Sequence, residues 1–375
     1  MVSSHVPDIP ASQSTTEHEV PPAGAGDAQM QAVPVEVPVA EASAIRRFLL
    51  SRGNSAIADR GFHWLMVLCA LSIFGIVILI AYELVQRSQL AWAKFGLGFF
   101  FSAFTDPDTH QPIYWDPVNG HFSALPFLYG TVLSSFLALL FAVPLAIGTA
   151  VFLTEMCPQR LRGPLAFLTE LLAAIPSVIY GLWAVFVLVP ILREHVNPFL
   201  VKSLGWTTLF NDDNPTGLGY MSAGVILAVM ILPIISSLTR EVMSAVPGSQ
   251  REAVLALGAT RWEMIRIAVL RNARIGIVGA VILGLGRALG ETMAVTMVIG
   301  NSTDLPGLLK NHSLLANGSS MASVIANQFS EASDDLHLSA LMEIGLALFI
   351  VTIIVNALAR LLVWMVTRGA PAQRN

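Results

Sequence analysis

An all-α integral membrane protein with six transmembrane helices is the fold class this sequence predicts, and three observations predict it. Hydrophobic residues make up 54% of the chain and charged residues only 12%, with a mean hydropathy of +0.67, a balance too apolar for an ordinary soluble domain. Crossing about 30 Å of hydrocarbon takes roughly 20 apolar residues, and runs of that length lie near 62–84, 127–153, 164–191, 218–239, 274–299 and 340–364. The basic residues, finally, cluster in alternate connecting segments. The formal charge of −4 carries no information about partners, because charge is spread so unevenly along the chain.

Residues 1–45 contain no Lys or Arg, several acids, and many Pro, Ala, Ser and Gly. Such a segment buries too little apolar area to offset its ordering entropy, so a disordered acidic tail is expected. It also lacks the basic region and apolar core that open a secretory signal. Residues 46–61 mix Arg46, Arg47, Arg52 and Arg60 with Phe48, Leu49 and Leu50, the composition of a segment lying on the membrane surface. A transmembrane domain over 62–370 and a short cytoplasmic terminus at 371–375 complete the organisation.

Pro144, Pro176, Pro190 and Pro233 fall inside the apolar runs, where packed neighbours can satisfy the freed backbone groups. They predict kinks rather than breaks. With the N-terminus inside, the inner side receives Arg46 to Arg60, Arg160, Arg162, the arginines from Arg240 to Arg274, Arg360, Arg368 and Arg374. The outer side receives only Arg87, Lys94, Arg193, Lys202 and Lys310. This asymmetry places both termini in the cytoplasm.

The outer loops, 87–126 and 300–339 above all, are long and rich in Asp, Asn, Pro, Gly and aromatics. Trp92, Phe95 and Phe99 to Phe101 predict an interfacial helix, followed by turns at Asp106-Pro107 and at Asp116 to Gly120. Membrane anchoring and a landing surface for an external partner both fit. Cys69 lies in an apolar run and Cys157 beside a basic loop, which gives neither a disulfide framework nor metal spacing.

The inner loop 240–273 has the sharpest local signals. Pro247 and Gly248 punctuate the chain, and Ser249 with Glu252 three residues on predicts a capping box at the start of a short helix. Gly258 ends that helix, because glycine tolerates the left-handed conformation beyond a helix terminus. Thr260 with Glu263 predicts a second capping box. The result is two short helices joined at a glycine, with Leu255, Leu257 and Trp262 available to a partner. A loop in which Glu252 only caps and Gly258 only turns fits these residues equally well.

Glu252, Ala253 and Gly258, with Leu270 twelve residues after the glycine, resemble the EAA motif of the permeases of ABC importers, the helix pair that sits in a groove of the ATPase subunit. Val254, Ala268 and Arg271 stand where that motif more usually has Ala, Ile and Pro. The stretches WDPVNG at 115–120, ALPFLYGT at 124–131, TELLAAIPSVIYGLW at 169–183 and GLGRALGETMAV at 284–295 are similar to one branch of the family, the PstC-type permeases of phosphate importers. The likeness covers roughly residues 61–370, with TDPDTHQPIY at 105–114 looking like an insertion. The resemblance implies a type I importer (MetI-like) core that forms half of a path for inorganic phosphate across the cytoplasmic membrane. It further implies a homologous second permease (PstA-type), two ATPase subunits (PstB-type) that bind ATP and Mg, an external phosphate-binding protein (PstS-type), and Glu252, Ala253 and Gly258 as the contact with the ATPase.

Arg287 and Glu291 are isolated charges in the fifth apolar run. A charge near the bilayer centre costs on the order of 2.5–3.5 kcal/mol on insertion scales, and such residues usually face a bundle interior or a pathway. At i, i+4 the two predict a pair on one helix face. Small residues flank them, Gly276, Ala280 and Gly284 on one stripe and Gly286, Gly290 and Ala294 on another, and permit close helix packing. A self-contained ion pair fits; so does an Arg287 that attracts a passing anion, tuned by Glu291. By the resemblance, Glu170, Ser177 and Tyr180 line the same path, although packing or surface roles suit them as well. Glu343 reads as an interfacial acid.

The only lysines, Lys94, Lys202 and Lys310, follow Ala, Val and Leu, so the chain lacks the Gly-Lys-Ser/Thr of a phosphate-binding loop and ATP hydrolysis is expected in a separate subunit. A membrane-embedded enzyme would call for signatures such as HExxH or GxSxG, which do not occur. A signalling subunit and a permease for sulfate or molybdate stay open, since one arginine serves any of these oxyanions. Nothing in the composition points to nucleic acid.

Overall fold

The computed structural model describes residues 55–105, 110, 112–210, 216–304 and 313–368. The acidic tail, the first half of the surface segment, the Asp106-Pro107 turn, Lys310 and the C-terminal segment 371–375 lie outside the described residues. Within them, six helices are long and apolar enough to span a membrane. The chain divides into two compact units, Met1–Leu71 and Ser72–Asn375.

Helix α1 (Ser55–Arg87) passes through both units. It starts before the expected span, so 55–61 is helical rather than a separate surface segment. In the first unit its Phe62, Trp64, Leu65 and Leu68 are all exposed, the surface a helix presents to lipid.

In the second unit, α2 (Gln89–Phe95) and α3 (Gly98–Phe101) follow. Trp92 and Phe101 are exposed while Phe99 is fully buried, so the predicted interfacial helix is two short pieces, each half anchor and half core. The fold is all-α as expected, and the outer loop adds two short antiparallel ribbons, β1 (Phe104–Thr105) with β2 (Pro112–Ile113) and β3 (Trp115–Asp116) with β4 (His121–Phe122). The predicted turn at Asp116 to Gly120 closes the second ribbon. Asp116 accepts bonds from Val118 N, Asn119 N and Asn119 Nδ2; the last holds its carboxyl below the usual carboxylate range. Trp115 packs edge-on to Phe122 and Phe127.

The remaining spans are α4 (Leu125–Met156), α6 (Ser177–Leu204), α7 (Tyr220–Ser244), α9 (Arg261–Leu289) and α12 (Asp335–Arg368). Between them lie α5 (Gln159–Ala174), α8 (Gly248–Ala256), α10 (Met293–Val298) and α11 (Met321–Gln328). Helix α7 is the hub: it packs along α4 and α9, and Ile226, Ile231 and Ile235 on it are fully buried.

The prolines behave in two ways. Pro144 and Pro233 remain inside continuous helices. Pro176 does not: Ile175 and Pro176 are both extended, at ψ 129° and 142°, because the proline ring disfavours the α region for the residue before it. The third apolar run is therefore broken into α5 and α6 rather than kinked. Pro190 sits between two wide π-type turns, Ala184–Leu188 and Leu192–Val196, which accommodate its missing N–H.

Candidate translocation and coupling site

The stripe Gly276, Ala280 and Gly284 lies against α7. A Cβ at Gly284 would come within 2.7 Å of Ile235, and one at Gly276 would strike Val242. This seam fixes the height of Arg287. Gly284 meets α7 between Ile231 and Ile235, with Ile231 roughly 16 Å along the helix from Tyr220 at about 1.5 Å per residue. The far end of the run meets the start of α7, where Gly219 N donates to Val298 O at 2.9 Å. Arg287 thus sits partway down the span, away from either end of α7.

A cavity of about 900 Å³ opens beside it, lined by Ile234 on α7, by Ile275, Gly279, Ile282, Leu283, Gly286 and Arg287 on α9, and by Asn356, Arg360 and Val363 on α12. A Cβ at Gly279 or Gly286 would meet nothing within 4 Å, so the glycines keep this wall open. The lining holds two guanidinium groups, one amide and no carboxylate. Neither arginine belongs to any of the four ion pairs formed among the described residues. A guanidinium presents a planar fork of donors that matches an oxyanion bidentately, so the cavity is chemically suited to an anion crossing an otherwise apolar region.

Glu291 does not pair with Arg287. The helix stops at Leu289, Gly290 leaves the α conformation, and the next helix starts at Met293. Glu291 Oε1 instead faces Ala294 N at 3.4 Å, at the start of α10. The expected i, i+4 pair required an unbroken helix, and Gly290, the poorest helix former at that place besides proline, ends it. For the same reason Gly286, Gly290 and Ala294 do not form a stripe on one helix.

The two interruptions, at Ile175-Pro176 and at Gly290 to Thr292, belong to neighbouring elements. Gly181 on α6 packs against Ala294 and Met297 on α10, where a Cβ would meet Met297 Sδ at 2.6 Å. Tyr180 is buried and donates its hydroxyl to Leu172 O at 2.7 Å, bridging the first interruption. Glu291 and Tyr180 therefore share one neighbourhood, with Ser177 half-buried on the first turn of α6. Glu170 is elsewhere: exposed, it pairs with Arg240 at 2.6 Å and lines a second cavity of about 570 Å³ with Arg162, Ser237, Arg240, Glu241 and Ser244.

On the inner loop, Gly258 adopts φ +85° and joins α8 to α9 as expected. The Thr260–Glu263 capping box forms, with Thr260 Oγ1 accepting from Glu263 N and Glu263 Oε2 accepting from Thr260 N. The first predicted box does not. The residue before the helix is Pro247, extended at ψ 139°, and Ser249 lies inside the helix rather than ahead of it. A proline fixed near φ −65° already sets the entry, so no side-chain cap is used. Glu252 is consequently not engaged in capping and stands exposed beside Ala253. Leu255, Leu257 and Trp262 are exposed too, Leu257 to 88%.

Three residues were not legible as site or core. Asn356 and Arg360, at i, i+4 in the last span, read as ordinary residues near its inner end; their only signal was a shared helix face, which has no meaning without knowing which face meets Arg287. Glu343 was expected at the interface but is 1% exposed, with neither carboxylate oxygen hydrogen-bonded. Helix α12 begins at Asp335, so residue 343 is carried more than two turns into it.

A family model described as the inner membrane component of binding-protein-dependent transport systems matches residues 142–369. The phosphate transport system permease protein PstC of Haemophilus influenzae is 44% identical over 313 residues, covering 83% of this chain and 94% of that protein. The protein of the same name from Mesorhizobium japonicum is 41% identical over 338 residues, covering 88% and 96%. PstC 2 of Mycobacterium tuberculosis is 50% identical over 233 residues, covering 61% and 70%.

Proposed function

Because the chain belongs to the family of binding-protein-dependent transport system inner membrane components, we propose that it is the non-catalytic permease subunit of an ATP-driven phosphate importer and forms half of its path across the inner membrane. The phosphate assignment is supported by the agreement of relatives that share 40–44% identity over most of the chain. The observation that carries the mechanism is the Arg287 guanidinium partway down α9, without an ion-pair partner among the described residues, in a cavity it shares with Arg360 and Asn356.

In this reading Arg287 draws a phosphate oxyanion off the external binding protein's delivery site and Arg360 receives it lower in the same cavity. Glu291, holding the start of α10 rather than Arg287, sets the shape of the interruption beside which the anion passes. Tyr180 and Ser177, outside the lining of that cavity, border the path at the break between α5 and α6, and Glu170, paired with Arg240, belongs to the inner mouth. The exposed surface of Glu252, Ala253, Leu257 and Trp262 around the Gly258 turn docks to a separate ATPase, which holds ATP and Mg. A homologous second permease supplies the other half of the path, and both termini are cytoplasmic.

The test is uptake by proteoliposomes containing this chain with a second permease, an ATPase and an external binding protein. ATP-dependent accumulation of labelled phosphate, undiminished by excess sulfate or molybdate, is the expected result. Uptake suppressed equally by sulfate would transfer the function to another oxyanion.

A further inference from the structure

Helix α8, which carries the proposed ATPase contact, buries no side chain of its own. Apolar packing therefore cannot account for how it is held. Val254 alone leans on the inner cluster of Met243, Val246, Met264 and Ile265. The attachments are polar, and most of them converge on Arg251, in the first turns of α8. Its Nη1 donates to Val246 O at 2.7 Å and its Nη2 to Met243 O at 2.8 Å. Met243 O lies in the last turn of α7, where the helix dipole favours a cation, and Val246 O lies two residues beyond its end. Nη2 also meets Glu155 Oε1 at 3.1 Å, at the end of α4.

This pair is unlike the others among the described residues. The Glu155 and Arg251 side chains are 8% and 21% exposed, whereas each of the other three pairs has at least one partner more than 50% exposed. A withdrawn pair contributes little net stability relative to apolar packing, but removing one partner leaves an uncompensated buried charge. Its value lies in geometry: one guanidinium joins the ends of α4, α7 and α8. Next to it, Asn272 Nδ2 donates to Gln250 Oε1 at 2.6 Å and ties α8 to α9.

We propose that Arg251, held by Glu155, is a positioning residue for energy coupling: it makes α8 move as one body with the inner ends of α4 and α7. A displacement of α8 by the ATPase then reaches two spans directly, and α7 carries it to the seam with α9 and so to Arg287. The proposal rests on the reading of α8 as the ATPase contact. Glu155 and Arg251 touch neither phosphate nor ATP in this scheme.

The experiment compares the reconstituted complex carrying the native chain, Glu155→Gln, Arg251→Lys or Arg251→Met, reading ATP hydrolysed and phosphate accumulated in the same vesicles. Glu155→Gln leaves the carbonyl bonds of Arg251 in place, so it assembles even if Arg251→Met does not. The expected result is ATP turnover within twofold of native, with at least a fivefold rise in ATP consumed per phosphate for Glu155→Gln and Arg251→Met, and a smaller rise for Arg251→Lys. An unchanged ratio in Glu155→Gln, or parallel loss of hydrolysis and uptake in it, overturns the coupling role and leaves a structural one. Absence of ATP-dependent uptake by the native complex would instead overturn the importer reading itself.

Discussion

Arg287 concentrates the functional argument at the scale of single residues. A cation inside an apolar span is retained at a cost, and this one has no carboxylate partner among the described residues to offset it. Arg287→Gln keeps a polar, hydrogen-bonding side chain while removing the charge, so phosphate uptake should fall by at least tenfold with membrane levels of the protein unchanged; normal uptake would remove the charge from the mechanism. Arg360→Gln, in the same cavity, should reduce uptake without abolishing it. Gly258 is a different kind of residue. A Cβ there meets nothing within 4 Å, yet φ is +85°, a conformation that costs an L residue roughly 1–2 kcal/mol. Gly258→Leu should thus relax the α8–α9 turn rather than clash, and the measurable effect is lost uptake in a protein that still inserts and still resists proteolysis as the native chain does.

Helices are where sequence and structure part company in an instructive way. Gly284 and Gly286 are two residues apart on α9 and face opposite demands: the first is pressed on Ile235, the second opens onto the cavity. Gly284→Leu should therefore overpack the α7 seam, at a cost of about 1–3 kcal/mol, and lower the thermal midpoint of the detergent-solubilised protein. Gly286→Leu should leave the midpoint near native and obstruct uptake. Equal midpoints for the two variants would show that the seam is not tight. Periodicity announced the first stripe because three small residues at i, i+4 spacing on one helix need no further information. It failed for the second because Gly290 ends α9, and a stripe extrapolated through a terminus joins two helices. The six apolar runs, the Gly258 turn and the Thr260–Glu263 cap were legible for the same reason: each depends on residues close to one another in the chain. The burial of Glu343 and the meeting of Arg287 with Arg360 depend on which neighbours a helix acquires, and no local pattern encodes that; the break at Pro176 has a local cause, but Pro144 and Pro233 carry the same signal inside continuous helices.

At the scale of the whole molecule, the distribution of charge makes a claim that can be checked directly. Six spans return the chain to the side from which it started, so one topological fact fixes all the loops. The residues Arg240 to Arg274 and Arg160 to Arg162 carry most of the basic charge between spans, which predicts a cytoplasmic α8–α9 turn, the side on which the proposed ATPase contact requires it. Val118, 92% exposed in the β3–β4 turn, and Leu257, 88% exposed beside Gly258, are suited to reporting the two sides. In a background with Cys69 replaced by Ser and Cys157 left buried, Val118→Cys should react with a membrane-impermeant maleimide on intact cells, and Leu257→Cys only after permeabilisation. Assembly with the ATPase should then protect Leu257→Cys in permeabilised membranes, since that side chain lies in the proposed contact, and leave Val118→Cys unaffected. Labelling of Leu257→Cys from outside would invert the molecule and remove the coupling argument along with it; accessibility unchanged by the ATPase would keep the topology and move the contact to another part of the inner face.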